Sequence, residues 1–150
     1  MTSASDHVLA RAIRFATKKH GEAVDKGGQP FVGHPLRVMA RVSVELGPQG
    51  SPDAALAAAV LHDVLEDTGT DPLEMEAEVG AYVTGIVRVL TRDDEESYFD
   101  YIRRVAAARP VARVIKLADL ADNLNPARRV PGLRLPERYE RAVRILKGDE

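Results

Sequence analysis

The sequence predicts an all-α fold. Apolar residues recur at helical spacing in almost every segment, as at Val8, Leu9, Ala12, Ile13 and Ala16. Serine, aspartate, proline and glycine stand where helices start and stop. No alternating strand pattern of convincing length interrupts them. The chain of 150 residues is enough for one domain with a real core and too short for two comfortable ones.

The elements follow in order. Ser5 or Asp6 is expected to cap a first helix ending near His20, with Gly21 as its stop. A loop over 21–33 holds Gly27, Gly28 and Pro30. Pro35 suits the first turn of a second helix, which Gly47 closes. Ser51, Pro52 and Asp53 supply a cap, a first-turn proline and an N-terminal carboxylate for a third helix, expected to run unbroken to Thr68 and Gly69. Pro72 opens a short helix to about Val79, Gly80 interrupts, and Tyr82 to Leu90 reads as another helical piece. Ser97 with Asp100 resembles a capping box for a helix to Arg109. Pro110 can start the next helix, running to about Leu124. A loop rich in proline and arginine spans 125–136, and Glu137 to Leu146 closes the chain as a helix.

Composition removes several classes of function. Net charge is −2, so nothing pushes toward a nucleic-acid surface or an anionic membrane. The absence of cysteine excludes disulfides, thiolate metal sites and thiol nucleophiles. With three Phe, four Tyr and no Trp, little material exists for base-stacking platforms. No apolar run approaches the roughly 20 residues of a membrane span. The N-terminal MTSASDHVLA lacks the basic and apolar regions of a signal peptide, so a cytoplasmic location is expected.

The chemistry concentrates in VLHDVLEDTG, residues 60–69. It follows an alanine-rich run that reads as protein interior, yet carries His62, Asp63, Glu66 and Asp67. On an unbroken helix His62 lies above Glu66 and Asp63 above Asp67. Glu66 and Asp67 would then sit near a helix C-terminus, where the macrodipole disfavours negative charge, so a compensating cation or basic loop is expected. Two further residues are candidates for the same cluster. His34 sits at a helix start, and Asp119 lies in VIKLADLADNL, a mostly apolar helix where a carboxylate needs a partner. Two imidazoles and two carboxylates suit Mn²⁺, Fe²⁺ or Zn²⁺ rather than Ca²⁺. Four protein ligands on an octahedral ion leave room for water and substrate, the layout of a catalytic site.

These residues carry a resemblance. His34, His62-Asp63 and Asp119 match the metal signature of the HD phosphohydrolase superfamily. GGQPFVGHPLRV (27–38), AAVLHDVLEDTG (58–69) and VIKLADLADNL (114–124) resemble the hydrolase domain of RelA/SpoT-type alarmone enzymes, especially its stand-alone small form. The likeness covers residues 6–146 in the expected order. It implies a compact multi-helix HD-domain bundle around a central metal site, with residues 1–150 as one hydrolase domain and no synthetase domain. It implies one Mn²⁺ held by His34, His62, Asp63 and Asp119, with Glu66 and Asp67 serving the hydrolytic water. Asn123 contacts the nucleoside by the same likeness. The implied reaction removes the 3′-pyrophosphate of guanosine 3′,5′-bis-polyphosphate, giving GDP or GTP plus pyrophosphate. Glu66 is the first choice for proton acceptor and Asp67 its partner.

The chain departs from these relatives in two places: beyond Asn123 they often continue with a basic residue and a Thr, where Asn125 and Pro126 stand here, and a base clamp is altered. They usually carry Arg-Lys nine and eight residues before the first metal His, with the Arg stacked on the base. Asp25 and Lys26 stand there instead. Asp25 cannot stack as a guanidinium does, whereas Lys26 can still meet phosphate. Guanine preference is therefore open, with an adenine alarmone or another 3′-phosphorylated nucleotide as alternative substrates.

The remaining polar residues have structural readings first. His7 and His20 read as surface or capping residues. Phe31 is either a core staple or one wall of a nucleoside pocket. Lys116 reads as snorkelling or paired, and Arg103, Arg104, Arg128 and Arg129 as solvated, with some able to reach phosphates. The expected partner is a small nucleotide, with neither nucleic acid nor membrane, and self-association is left open. Two other functions compete: a different HD nucleotidase or phosphodiesterase, and a metal-containing nucleotide sensor without turnover. An intact Glu66-Asp67 pair disfavours the sensor.

Overall fold

A helix that is apolar on every side has to lie inside. That is the position of Pro52–Leu61 in the computed structural model, which describes residues 7–47, 52–128 and 136–150. Among these residues the helices are α1 (Val8–His20), α2 (Gly33–Leu46), α3 (Pro52–Leu61), α4 (Val64–Thr68), α5 (Pro72–Val79), α6 (Ala81–Val89), α7 (Tyr98–Ala107), α8 (Pro110–Asn123) and α9 (Pro136–Lys147). A 3-10 turn at Pro126–Arg128 follows α8. The β pairing among the described residues is one isolated antiparallel bridge, Val24 to Pro30, across the glycine loop. Ser5, Asp6, Ser51 and Arg129 lie outside the described residues.

Ala57, Ala58, Ala59, Val60 and Leu61 are all fully buried. Three consecutive alanines give α3 a thin waist, and α1, α2, α6 and α8 pack around it. The outer helices turn their own stripes inward: Ala12, Phe15 and Ala16 from α1, Val38 and Val42 from α2, Ile115 and Ala118 from α8. α7 and α9 pack on each other and on α8, extending one core from Ala12 to Leu146.

The ends are set locally. Asp71 caps α5 through Leu73 N–H at 2.8 Å, and Ser97 caps α7 through Asp100 N–H at 3.1 Å. Gly21 and Gly47 close α1 and α2 at φ of 56° and 62°, a region where other residues are strained.

One boundary differs from the sequence expectation. The third helix does not run unbroken to Thr68: it stops at Leu61, and α4 begins at Val64. The Ala59 carbonyl accepts from His62 N at 3.3 Å and from His62 Nδ1 at 2.7 Å. A side-chain N–H and a three-residue turn thus take the acceptor that the regular ladder would use. Asp63 then starts the next helix, its carbonyl accepting from Asp67 N at 2.9 Å.

Candidate metal centre

The break in the central helix delivers His62 and Asp63 to the middle of the bundle. The inward face of α2 carries His34 on the same side as Val38 and Val42, and that of α8 carries Asp119 four residues after Ile115. His34 Nε2 lies 2.9 Å from Asp119 Oδ1 and 3.5 Å from Asp63 Oδ2. His62 Nε2 lies 3.1 Å from Asp63 Oδ1 and 3.4 Å from Asp119 Oδ1. One ligand atom from each of His34, His62 and Asp119 falls within 4.8 Å of the others. His34, His62 and Asp119 therefore converge on one buried point, and Asp63, 18% exposed, stands against both imidazoles at its edge.

Both imidazoles are aimed by their second nitrogen. His62 Nδ1 donates to the Ala59 carbonyl, and His34 Nδ1 lies 2.7 Å from Asp122 Oδ2. Each ring thus turns Nε2 toward the shared point, the tautomer that metal-ligating histidines use. Asp122 is fully buried three residues after Asp119 and also accepts from Arg37 Nε at 3.0 Å and Arg128 Nη1 at 2.6 Å. Sequence reasoning passed over it. Its signal was available: on a helix, i+3 from Asp119 is the same face.

Charge balance tests the fit of a cation. Asp119 Oδ2 is paired with Lys116 Nζ at 2.7 Å, and Asp122 has Arg37, Arg128 and, at 3.9 Å, Arg41. Asp63 is paired with imidazoles alone among the described residues. Burial disfavours charge on His62, yet the Asp63 and Asp119 carboxylates push its pKa well above the usual range. Burial opposes charge on His34 as well, and hydrogen bonds to Asp119 and Asp122 raise it. Burial would raise Asp119, but Lys116 and then His62 hold it well below the carboxylate range. The pocket thus draws positive charge onto its rings. His62 Nε2 is buried without a well-directed hydrogen bond, although two carboxylates stand beside it. A buried imidazole nitrogen without a hydrogen-bond partner, facing two carboxylates in an N/O set, fits a divalent ion.

Glu66 and Asp67 stand on α4 beside this point, both solvent-accessible. Glu66 Oε1 accepts from Arg92 N at 3.1 Å. Desolvation in the cleft, then the charges of Asp63 and Glu66, lift Asp67 to about 6. The helix-dipole expectation is corrected here. Both residues lie in the first turn of a five-residue helix rather than at the end of a long one. The demand for positive charge comes from neighbouring carboxylates instead.

Other readings change too. His20 is not a surface or capping residue: it is 5% exposed, stacks on Phe31 with ring centroids 4.8 Å apart, and its Nε2 lacks a partner. It continues the Ala12–Ala16 stripe by one more step of four, the signal that could have placed it. Phe31 itself is half-buried between His20 and His34, whose ring lies 6.5 Å away edge-on. Arg104 is not simply solvated: it bonds Glu96 and the carbonyls of Val89 and Thr91, fixing the loop that presents Arg92 N–H to Glu66. Lys116 pairs, as one of its two readings had it. Asn123 spans Asp119 Oδ1 at 3.1 Å and Arg128 Nη1 at 3.1 Å. Lys26 is exposed in the glycine loop.

The fold and this centre define a class of metal-site hydrolase domain, and comparison with known proteins agrees. Residues 12–136 match the HD domain family, and the chain belongs to that family. Within it, the chain is similar to guanosine-3′,5′-bis(diphosphate) 3′-pyrophosphohydrolase MESH1. Identity is 32% with the Mus musculus protein over 93% of this chain and 83% of that one. It is 31% with the Homo sapiens protein over the same shares. A guanosine-3′,5′-bis(diphosphate) 3′-pyrophosphohydrolase of Aquifex aeolicus is 35% identical over 77% of this chain, which spans only 17% of that longer protein. A solved structure of a metazoan ortholog of SpoT that hydrolyzes ppGpp aligns at a TM-score of 0.77 with 27% identity. That match covers 100% of this chain and 89% of the other.

Proposed function

We infer that this protein hydrolyses guanosine 3′,5′-bis-polyphosphate at its 3′-pyrophosphate, releasing GDP or GTP and pyrophosphate. One observation carries the reading: a buried His34-His62-Asp119 cluster with Asp63 against both rings and an adjacent Glu66-Asp67 pair, in a chain whose MESH1 relatives bear that activity in their names. His34, His62, Asp63 and Asp119 are proposed to hold one divalent ion, and the mixed N/O donor set favours Mn²⁺ over Ca²⁺. Such an ion would supply a water of lowered pKa and screen the phosphoryl oxygens.

The protein's own groups do the rest. Asp122 and the Ala59 carbonyl orient the two rings. Lys116 keeps Asp119 ionised. Glu66 is held at one oxygen by Arg92 N–H, which leaves the other to accept a proton from water, with Asp67 as its partner. Lys26 and Asn123 are proposed contacts for phosphate and nucleoside, and Phe31 a wall of the nucleoside pocket. Residues 1–150 are read as one hydrolase domain. A cytoplasmic location and the lack of a nucleic-acid partner belong to the same proposal, supported by the net charge of −2. Among the described residues no helix is long and apolar enough to cross a membrane.

The test is a product analysis. Metal-loaded protein is incubated with guanosine and adenosine 3′-pyrophosphates. Release of pyrophosphate supports the reading. Orthophosphate would identify a nucleotidase, and binding without any release would identify a sensor.

A further inference from the structure

Arg128 and Asp25 meet at the rim of the metal centre in a way that the proposed reaction does not explain. Arg128 leaves the 3-10 turn after α8 and lays Nη1 against Asp122 Oδ2 at 2.6 Å and Asn123 Oδ1 at 3.1 Å, with His34 Nδ1 at 2.9 Å. That side of the guanidinium is firmly held by a fully buried carboxylate. Its outer nitrogen, Nη2, faces Asp25 Oδ2 at 3.5 Å, a much looser contact. The two side chains are 19% and 17% exposed, so the pair stands at the mouth of the site. Asp25 is anchored independently: its Oδ1 accepts from Gly27 N and Gln29 N, both at 2.9 Å, and organises the glycine loop.

We propose that Arg128 is a phosphate-binding residue and that Asp25 is a displaceable stand-in for the phosphate on its outer edge. The inner edge needs no help from Asp25, because Asp122 and Asn123 already fix the guanidinium. The outer edge offers N–H groups to a carboxylate oxygen at long range, the geometry that a phosphate oxygen would improve. Substrate must therefore compete with a charge of its own sign, and Asp25 sets affinity downward. This rests on the reading of the site as one for a polyphosphorylated nucleoside.

Asp25→Asn is the test, since the amide oxygen can still accept from Gly27 and Gln29 while the charge is gone. KM for guanosine 3′,5′-bis(diphosphate) should fall roughly two- to fivefold, the range of a rim ion pair, and the fall should shrink as salt rises. The change belongs in KM, because Asp25 competes with bound substrate in the ground state. In an Arg128→Gln background the same substitution should leave KM within error. Arg128→Lys, which keeps a cation against Asp122, serves if the glutamine variant does not fold, and there the Asp25 effect should be smaller than in wild type. Calorimetric titration with inorganic pyrophosphate repeats the comparison without turnover. Tighter pyrophosphate binding in Asp25→Asn that depends on Arg128 supports the proposal even where no nucleotide is hydrolysed, an outcome that would defeat only the functional reading. An unchanged or raised KM in Asp25→Asn, or an equal fall in both backgrounds, overturns it.

Discussion

Replacing Asp122 should loosen the metal without touching a proposed ligand. Asp122→Asn keeps the volume and one acceptor for His34 Nδ1 but removes the charge facing His34, Arg37 and Arg128. Asp122→Ala removes the acceptor as well. A carboxylate behind a ligating imidazole fixes its tautomer and raises its basicity, and losing such a partner typically costs 10–100-fold in metal affinity. The amide should fall near the lower end, roughly tenfold, and alanine nearer a hundredfold. These factors correspond to about 1.4 and 2.8 kcal/mol of binding free energy. Folding should survive. Breaking a fully buried ion pair costs about 3–5 kcal/mol, but Arg37 is 44% exposed and can turn to water, so the penalty is smaller here. The assay is competition of each variant with a chelator for Mn²⁺, alongside thermal melts of the metal-free proteins. Turnover at saturating metal and substrate should stay close to wild type, because the ring returns to position once the ion is bound, while KM should rise because Arg128 loses the carboxylate that fixes it. A folded Asp122→Ala protein whose Mn²⁺ dissociation constant lies within twofold of wild type would show that Asp122 does not tune the metal site.

Asp63→Ala should abolish metal content and activity together, since it deletes the carboxylate that among the described residues is paired with imidazoles alone; full metal occupancy in that variant would sink its assignment as a ligand. Glu66→Gln should retain metal and substrate while turnover drops by roughly 10²–10⁴; wild-type turnover would move the proton to Asp67. Alkaline stability should depend on Tyr101, whose hydroxyl is buried, pushed up to about 12, and donates to the Leu90 carbonyl at 2.6 Å. The folded value lies above the unfolded one near 10, so the stabilisation is complete below pH 10 and lost as pH rises through 12. A shift of this size corresponds to a loss on the order of a few kcal/mol. Urea midpoints of wild type and Tyr101→Phe between pH 9 and 12 would check this, and parallel curves for the two proteins would contradict it.

What the sequence made legible was whatever chemistry is local. Pro52, Pro72, Pro110 and the glycines at 21, 47 and 80 set helix limits through their own backbone preferences, and those limits stand within a residue or two. The four converging residues were legible because an exposed-type cluster inside apolar helices has few other uses. The break after Leu61 was not legible, because it depends on a side-chain nitrogen reaching a carbonyl three residues back. Arg104 and Arg128 were misjudged for a related reason. A long cationic side chain reads as solvated until a distant loop brings it a carboxylate, Glu96 in one case and Asp122 with Asp25 in the other.

The same long-range pairing explains how a bundle tolerates so many carboxylates at its centre. Each buried aspartate solves its charge differently. Asp119 borrows the ammonium of Lys116 one turn back on its own helix, so that pair forms as soon as α8 forms. Asp122 waits for α2 and the 3-10 turn to supply arginines, so it contributes only once the tertiary structure is complete. Asp63 receives neither, and protonated imidazoles compensate it only by giving up the neutral state in which imidazole binds a metal. Unlike the other two, Asp63 therefore has no lysine or arginine beside it among the described residues. A fixed cation beside it would stabilise the fold and close the position where an ion can sit. The helix break that places it there makes the core less regular and leaves that position open.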